Sequence, residues 1–413
     1  MRRLLVLGAG TAGTMVVNRL RRRLPPDRWQ ISVVDPGRSH TYQPGLLFLP
    51  FGTYRSADLV KPLDRFIPAG VERVVGAVER VDGDRNTVVL DGGRELPYDY
   101  LVIATGTTPR PDQTPGLLGP WWRESVFDFY TLDGATALGE ALRRFEGGRL
   151  VVHIVDTPIK CPVAPLEFAF LADAYLRHRG LRDRVQLTYA TPLPGAFTKP
   201  IASARLGALL AERGIAVEPD FLVERVEGDR RVLVSYDGRE VPFDLLVTVP
   251  LNMGAEYVAR SGLGDELNYV PVDRHTLLST RYANVFAIGD ANDIPTSKAG
   301  SVAHFSVEVF ADNFLAHVDG RPMPRSFDGH ANCFVETGDG KALLIDFNYD
   351  TEPLPGVYPL PLAGPFGLLR NTARNHWGKL AFRWLYWHLL LPGRPVPLPA
   401  RMSMAGKHQP AEE

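Results

Sequence analysis

The chain has 413 residues, enough for two or three domains, and its 45% hydrophobic and 23% charged residues are typical of a folded globular protein. With 46 basic and 47 acidic residues the net charge is near zero, which argues against a nucleic-acid-binding surface. Two cysteines are too few for a disulfide-stapled secreted scaffold, and no apolar run approaches the roughly 20 residues of a membrane-spanning helix.

The N-terminus carries a dinucleotide-binding pattern. Leu4 to Leu7 is predicted to be a short buried strand, and it leads into Gly8, Gly10 and Gly13 and a helix from about Ala12 to Arg22. In G-x-G-x-x-G the glycines permit the tight turn, the approach of a pyrophosphate and the packing of the helix. The basic and apolar start also resembles a signal peptide, but its removal would destroy the first strand. We therefore expect a protein that faces the cytoplasm.

A second predicted strand, Gln30 to Val34, ends at Asp35 and Pro36. An acid at this position accepts hydrogen bonds from a ribose hydroxyl pair and argues against a 2′-phosphate. Strand, glycine turn, helix, strand and acid together make the pattern specific. A glycine-rich turn without a ligand is the alternative.

Two later segments end in the same kind of backbone feature. Tyr98 to Gly106 is an apolar strand that ends in Ala-Thr-Gly, and Asn284 to Asp290 is an apolar strand that ends in Gly-Asp before a helix from about Ser301. Asp290 is either a ligand of a ribitol hydroxyl or a helix cap. In order and spacing these motifs resemble two-dinucleotide-binding-domain flavoproteins. The resemblance implies FAD and a first domain that is interrupted by the second.

The middle of the chain lacks the feature that such a second domain needs. Leu150 to Val155 is predicted as a strand and Pro165 to His178 as a helix, with the turn Asp156 to Pro165 between them, and Leu245 to Val249 is predicted as the strand that returns the chain to the first domain. A nicotinamide site would have a glycine fingerprint here, because glycine lets the backbone approach a pyrophosphate. The turn instead contains three prolines and Cys161. This argues against a nicotinamide electron donor.

The two cysteines, Cys161 and Cys333, have two interpretations. Each alone is more often a small buried residue than a reactive one. Cys161 is predicted to begin a helix beside Lys160, where the helix dipole and the cation would lower the thiol pKa. Cys333 is predicted to lie in an antiparallel hairpin with the strand Lys341 to Phe347.

Three motifs around these cysteines make the resemblance specific: Ile159 to Glu167, Lys298-Ala-Gly, and Asn332 to Asp339. They are similar to the motifs of the sulfide:quinone oxidoreductase family. The resemblance implies that Cys161 and Cys333 form a redox pair that oxidises sulfide to polysulfide and passes electrons to the flavin. It also implies that Glu167 handles protons and that Lys298 stabilises negative charge on the flavin.

The segment from Ser125 to Leu132 departs from the family pattern. Many members carry a third cysteine there, and this chain has none. The missing cysteine argues against a relay of three cysteines and favours a subtype with two. Such a subtype could transfer its sulfur to a different acceptor.

The segment His376 to Leu391 contains three of the six tryptophans and is shorter than a membrane span. Its composition fits either a buried core helix or an interfacial helix with tryptophan and basic residues at the headgroup level. The resemblance favours the second and implies that Phe334, Lys379 and Phe382 position a quinone. The family often has an acid where this chain has Arg383.

The sequence thus predicts an α/β fold with two Rossmann-like domains and a C-terminal region with an amphipathic helix. The predicted ranges are 1–120 with 250–320 for the FAD domain, 121–249 for the second domain, and 321–413 for the quinone and membrane region. The residues predicted to bind FAD are Gly8, Gly10, Thr11, Ala12, Gly13, Asp35, Pro36, Thr105, Gly106, Gly289, Asp290 and Lys298.

The predicted function is sulfide oxidation with a quinone as acceptor, by a peripheral membrane protein at the cytoplasmic face that needs neither a metal nor a nucleic acid. The sequence does not define the oligomeric state, and it is compatible with a homo-oligomer. Three alternatives remain: the flavin subunit of flavocytochrome c sulfide dehydrogenase, a non-proton-pumping NADH:quinone dehydrogenase, and an FAD-binding scaffold without catalysis.

Overall fold

The computed structural model describes residues 1–360, 364–396 and 398–408. Its first sheet has five parallel strands, in the spatial order Val285–Ala287, Tyr100–Ile103, Arg2–Leu7, Trp29–Val34 and Val71–Val74. The fingerprint helix (Thr11–Arg21) packs against the pocket helix (Gly300–Val318) beside this sheet. Because the strand at residue 285 pairs with one from the first 103 residues, the chain leaves this sheet and later returns to complete it.

The second sheet also has five parallel strands, in the order Val126–Phe127, Leu245–Val249, Gly148–Ile154, Val185–Ala190 and Ala216–Glu218. Its central strand is an almost unbroken apolar run, which is typical of a parallel strand buried on both faces. The accompanying helices are Leu132–Arg144, the cysteine helix (Ala164–His178) and Pro200–Glu212.

Small antiparallel sheets join these two units. The strands Thr107–Pro109 and Asn252–Gly254 pair where the chain passes from one unit to the other and back. The remaining strands of these small sheets are Ser39–Thr41 with Val60–Pro62, Val78–Asp82 with Thr87–Leu90 and Glu95–Pro97, and Val223–Glu227 with Val232–Ser235 and Glu240–Pro242.

The C-terminal sheet has four strands, in the order Ala331–Gly338, Lys341–Phe347, Phe366–Leu368 and Gly356–Tyr358. The C-terminal helix (Ala373–Leu385) packs on the first two strands and continues as a π-helical turn, Tyr386–Leu390. No helix in the described part of the chain is both long and apolar enough to cross a membrane. Residues 409–413 of the predicted C-terminal region lie outside the described residues.

Short helical segments complete the fold. The short α-helices are Ser56–Leu59 and Glu256–Arg260, and the 3-10 segments are Gln43–Phe48, Leu63–Phe66, Pro111–Gln113, Arg182–Arg184 and Gly289–Ala291.

The predicted fold class is confirmed. The strands predicted at Leu245 to Val249 and Lys341 to Phe347 have the same bounds in the structure, and Leu4 to Leu7 is observed as Arg2–Leu7. The boundaries proposed between the domains stay predictions.

Candidate functional site

A cavity of about 1000 Å³ opens between the first sheet, the cysteine helix and the C-terminal region. Its volume is at the upper end of the range usual for ligand sites. Except for Gly13, every residue that the sequence singled out for the cofactor, the cysteine chemistry or the quinone lies on its wall. The fold therefore brings together residues from widely separated parts of the chain.

The fingerprint glycines have three different surroundings. A Cβ at Gly8, whose φ is +92°, would lie 2.6 Å from the carbonyl oxygen of Ala104. A Cβ at Gly13 would lie 1.9 Å from the carbonyl oxygen of Gly8, so this glycine permits helix packing and lies behind the wall. A Cβ at Gly10 would meet nothing within 4 Å, since this position faces the cavity. The turn therefore fits the pyrophosphate of a dinucleotide.

Asp35 lies at the end of the second strand and holds the same loop in place. Its two carboxylate oxygens accept hydrogen bonds from the backbone N–H groups of Ala9 and Gly37, both at 2.7 Å. The carboxylate still lines the cavity, where a ribose hydroxyl can approach it. The residues present thus fit the adenosine end of FAD.

Lys298 and Asp290 form a buried charged group at the other end of the cavity. The Lys298 ammonium donates to the carbonyl oxygens of Asp290 at 3.1 Å and Asn292 at 2.7 Å, and it lies 3.7 Å from the ring centroid of Tyr269. Burial lowers the pKa of Lys298 to about 8, although the Asp290 carboxylate acts in the opposite direction. Burial likewise raises the pKa of Asp290. Such a cation can stabilise negative charge on a bound flavin.

The turn that carries Cys161 is docked against the Lys298 segment. The N–H of Cys161 donates to the carbonyl oxygen of Lys298 at 2.7 Å, and the N–H of Lys160 donates to Oδ1 of Asn252 at 3.3 Å. The hydroxyl of Tyr130 donates to the carbonyl oxygen of Cys161 at 3.2 Å. These backbone N–H groups are thus engaged within the protein and are not presented to a second dinucleotide.

The predicted activation of Cys161 by a helix start is wrong. The cysteine helix begins at Ala164, and Cys161 lies in the preceding turn with a φ of +49°. Burial raises the pKa of the Cys161 thiol, the Glu167 carboxylate adds to this effect, and the Lys379 ammonium partly offsets it. Burial also lowers the pKa of Lys160. Desolvation therefore outweighs the helix dipole and the neighbouring lysine.

Cys333 lines the same cavity as Cys161, and the strand that carries it packs against the cysteine helix. Cys333 is among the groups that raise the pKa of Cys161, and both are free thiols. Burial raises the pKa of Cys333 to about 12, although Lys379 and a hydrogen bond with the side chain of Ser301 lower it. Ser301 lies in the first turn of the pocket helix, whose N-terminus favours negative charge.

Glu167 and Lys379 form an ion pair beside the cysteines. Glu167 is fully buried, and its Oε1 also accepts the backbone N–H of Glu336 at 2.7 Å. Its Oε2 has no hydrogen-bond partner among the described residues. Lys379 donates in addition to the carbonyl oxygen of Phe334 at 2.8 Å. Lys379, predicted to contact a quinone, is thus bound to the residue predicted to handle protons.

The aromatic part of the wall surrounds Phe334 and Phe382. The ring of Phe334 packs edge-on against Phe366 at 5.2 Å, and Phe382 lies 6.5 Å from Tyr42 and 6.4 Å from Tyr386 between ring centroids. These rings form an apolar surface next to the Lys379 ammonium, which suits a ligand with a flat ring and polar oxygens.

Several polar side chains lie behind the cavity wall and were not predicted from the sequence. His40 Nε2 lies 2.6 Å from the Tyr386 hydroxyl, and the Glu336 carboxylate lies 2.9 Å from Nδ1 of His376. His40 belongs to the polar loop that follows the acid-bearing strand, and Glu336 belongs to the motif around Cys333. The position of each residue beside a recognised motif was the only sign in the sequence that it belongs near the site. Its partner could not be predicted, because the two residues are distant in sequence.

The C-terminal helix has one buried and one exposed side. Trp377 is 67% exposed and Trp384 59% exposed, whereas the π-helical turn that follows buries Tyr386 and Trp387. The end of this segment therefore belongs to the core, whereas Trp377 and Trp384 face outward, and its contact with a membrane stays a prediction.

The model of the pyridine nucleotide-disulphide oxidoreductase family matches residues 2–306. The mitochondrial sulfide:quinone oxidoreductase of Mus musculus is 28% identical over 397 residues, which cover 94% of this chain and 86% of that protein. Its counterpart in Dictyostelium discoideum is 28% identical over 398 residues, covering 95% and 86%.

Among solved structures, the sulfide:quinone oxidoreductase from Aquifex aeolicus matches with a TM-score of 0.78 and 22% identity, over 95% of this chain and 92% of that one. This match shows a shared fold. The sequence matches confirm the predicted resemblance to sulfide:quinone oxidoreductases and the predicted enzyme class, an oxidoreductase. Since the family model covers most of its length, the chain belongs to the pyridine nucleotide-disulphide oxidoreductase family.

Proposed function

We propose that this protein is a sulfide:quinone oxidoreductase that holds FAD in the cavity and uses Cys161 and Cys333 as its redox pair. The observation that carries the proposal is the composition of one cavity wall. The dinucleotide turn, both cysteines and the aromatic residues of the C-terminal region all line it. We also propose the domain ranges 1–120 with 250–320, 121–249 and 321–413.

FAD is the cofactor that the wall suits. Gly8, Gly10 and Asp35 would hold its pyrophosphate and adenosine, and Asp290 and Lys298 would contact its flavin end. When bound, FAD supplies a two-electron acceptor between sulfur chemistry and the quinone. The engaged backbone of the Cys161 turn supports FAD as the single dinucleotide.

The cysteines would act as a disulfide in the oxidised enzyme. Hydrosulfide attacks one sulfur, the S–S bond breaks, and the products are a persulfide on one cysteine and a thiolate on the other. The persulfide and the thiolate would then pass two electrons to bound FAD and close a trisulfide bridge. Repetition would lengthen the sulfur chain, which would leave as polysulfide. Because burial raises the pKa of both thiols, the Lys379 ammonium and the Ser301 side chain are the groups that stabilise the thiolate.

The quinone would contact Phe334, Phe382 and the Lys379 ammonium. Access from a membrane surface is supported by the exposed tryptophans of the C-terminal helix, because tryptophan favours the headgroup region. We propose a peripheral membrane protein on the cytoplasmic face.

The alternatives are less well supported. An NADH:quinone dehydrogenase needs free backbone N–H groups in the second glycine turn, and here Cys161 and Lys160 use theirs internally. A flavin subunit that serves a haem partner does not account for the exposed tryptophans of the C-terminal helix.

The test is anaerobic stopped-flow absorbance of the purified flavoprotein, mixed separately with sulfide and with NADH. The proposal expects bleaching of the flavin band by sulfide alone and its return on addition of a soluble quinone. Bleaching by NADH alone would support the dehydrogenase, and no bleaching by either donor would support a scaffold without catalysis.

A further inference from the structure

A row of charged side chains leads from the cavity wall to the protein surface. Glu167 lines the cavity and is paired with Lys379. Oε1 of Glu167 accepts both the Lys379 ammonium and the backbone N–H of Glu336, which places Glu336 of the Cys333 strand beside Lys379, and His376 is paired with the Glu336 carboxylate. The four side chains come from the cysteine helix, the C-terminal sheet and the C-terminal helix.

The outer end of this row reaches solvent. Glu336 is 1% exposed, and both of its carboxylate oxygens lie 2.9 Å from Nδ1 of His376. The His376 side chain is 19% exposed and lies in the first turn of the C-terminal helix. The imidazole thus has one nitrogen on a buried acid, and its ring is partly in contact with water.

The inner end of the row is poised to exchange protons. The Oε2 atom of Glu167 has no hydrogen-bond partner among the described residues, although it is buried. A buried carboxylate oxygen without a partner is costly, so this atom suits a proton or a ligand group in the cavity. The row therefore connects the surface to a residue that lines the cavity together with both cysteines.

Glu336 is surrounded by groups that adjust its proton affinity. Those that face it from the packed elements are Glu167, Lys379, His376 and Tyr54, with Arg383 against the ring of Tyr54. Burial raises the pKa of Glu336, while the positive charges of Lys379 and His376 lower it in part. A buried carboxyl group beside both an ammonium group and an imidazole is placed to accept a proton from one side and release it on the other.

We infer that His376 and Glu336 form a proton-uptake path that delivers protons from the surface to the cavity through Lys379 and Glu167. The inference rests on the proposed function, in which hydrosulfide, a quinone and one proton give sulfane sulfur and a quinol. His376 gives its Nδ1 proton to Glu336 and takes a new proton from water at Nε2. Lys379 gives a proton to Glu167 and regains one from Glu336 through a bridging water molecule, because the two side chains do not contact each other directly, and no net charge is left inside.

The test separates reduction of the flavoprotein by sulfide from its reoxidation by a soluble quinone in stopped-flow measurements from about pH 5 to about pH 8. Glu336→Gln keeps the size of the side chain but cannot carry a proton, and His376→Gln interrupts the path at the surface. His388→Gln, an exposed histidine after the C-terminal helix, is the matched control. We expect Glu336→Gln and His376→Gln to slow reoxidation about 10- to 100-fold. This effect is at or below the lower end of the range for loss of a general acid or base, because water molecules offer a slower route for the proton.

Two further readouts exclude a merely structural role. Imidazole added to the buffer should restore reoxidation in His376→Ala but not in Glu336→Gln. Infrared difference spectra of the unreacted flavoprotein between low and high pH should contain a carboxylic-acid band that disappears in Glu336→Gln. If Glu336→Gln fails to fold, the His376 variants and the imidazole rescue decide.

The outcomes separate this inference from the proposed function. Wild-type reoxidation rates and pH dependence in both the Glu336→Gln and the His376→Gln variants would overturn the inference while the proposed function stands. A wild-type protein that sulfide does not reduce would overturn the proposed function and the proton path with it.

Discussion

The hydroxyl of Tyr386 lies 2.7 Å from Oγ1 of Thr11, so the end of the C-terminal segment is hydrogen-bonded to the loop predicted to hold the FAD pyrophosphate. The same hydroxyl lies 2.6 Å from Nε2 of His40, whose Nδ1 lies 3.3 Å from the carbonyl oxygen of Ala9. The proposed membrane-facing segment and the proposed cofactor loop are therefore linked by side chains and not only by the chain between them.

Removal of this hydroxyl should loosen the cofactor loop. We expect Tyr386→Phe to lower the free energy of unfolding by about 1 to 3 kcal/mol, because His40 would lose a partner in a buried site. FAD should also dissociate more readily from the variant. Urea unfolding followed by tyrosine and flavin fluorescence measures both effects. Tyr236→Phe, at a tyrosine that is 73% exposed, is the control, and equal losses in the two variants would contradict the assignment.

The cysteine pair gives a second prediction. Cys161→Ser and Cys333→Ser should each abolish flavin bleaching by sulfide, because breaking the S–S bond needs both sulfurs. Each variant should keep its flavin and still be reduced by dithionite, since serine is close to cysteine in size. Rapid bleaching by sulfide in both serine variants would mean that the cysteines have only a structural role.

The sequence was sufficient for those parts of the fold that depend on local requirements. Gly8 and Gly13 each meet a steric condition that their neighbours impose, and Gly10 faces the cavity, so the first sheet and the cofactor loop could be predicted from residue type and spacing. The first and last residues of the strand Leu245–Val249 could also be predicted, because a strand that is buried along its whole length has a mostly apolar sequence.

The arrangement around the cysteines could not be predicted in this way. The turn at Cys161 depends on a hydrogen bond to the carbonyl oxygen of Lys298, and the charge of Glu167 is balanced by Lys379 from the C-terminal helix. Both contacts join segments that are distant in the chain, and contacts of this kind leave no periodic pattern of residue types in the sequence. From the sequence, the adjacent lysine and a helix start were expected to lower the pKa of Cys161, whereas in the structure desolvation by burial has the largest effect and raises it.

Acid sensitivity gives a third prediction. Burial lowers the pKa of His304 to about 4 from an ordinary value near 6.5, and neither ring nitrogen has a hydrogen-bond partner among the described residues. Between these values the unfolded chain binds a proton that the folded protein does not, so stability is lost as the pH falls from about 6.5 towards about 4. At pH 5 this histidine accounts for a loss of about 2 kcal/mol in the free energy of unfolding, relative to neutral pH.

His304→Leu should therefore reduce the loss of stability between pH 7 and pH 5 by about 2 kcal/mol. Urea midpoints of the variant and the wild type at the two pH values measure the difference. His388→Gln changes an exposed histidine and should leave the pH dependence as it is. A His304→Leu variant that loses as much stability on acidification as the wild type would contradict the burial argument.

The exposed tryptophans of the C-terminal helix give the last prediction. Because Trp377 and Trp384 are mostly exposed, replacing both by alanine should change the unfolding free energy by less than about 1 kcal/mol. The double variant should nevertheless bind lipid vesicles more weakly, since tryptophan side chains favour the headgroup region. Co-sedimentation with vesicles of mixed neutral and anionic lipid measures the affinity. Tyr236→Ala removes an equally exposed aromatic ring from the second unit and should bind like the wild type. Unchanged vesicle binding in the double variant would mean that these two rings do not contact lipid, and the route proposed for the quinone along this helix would then lose its support.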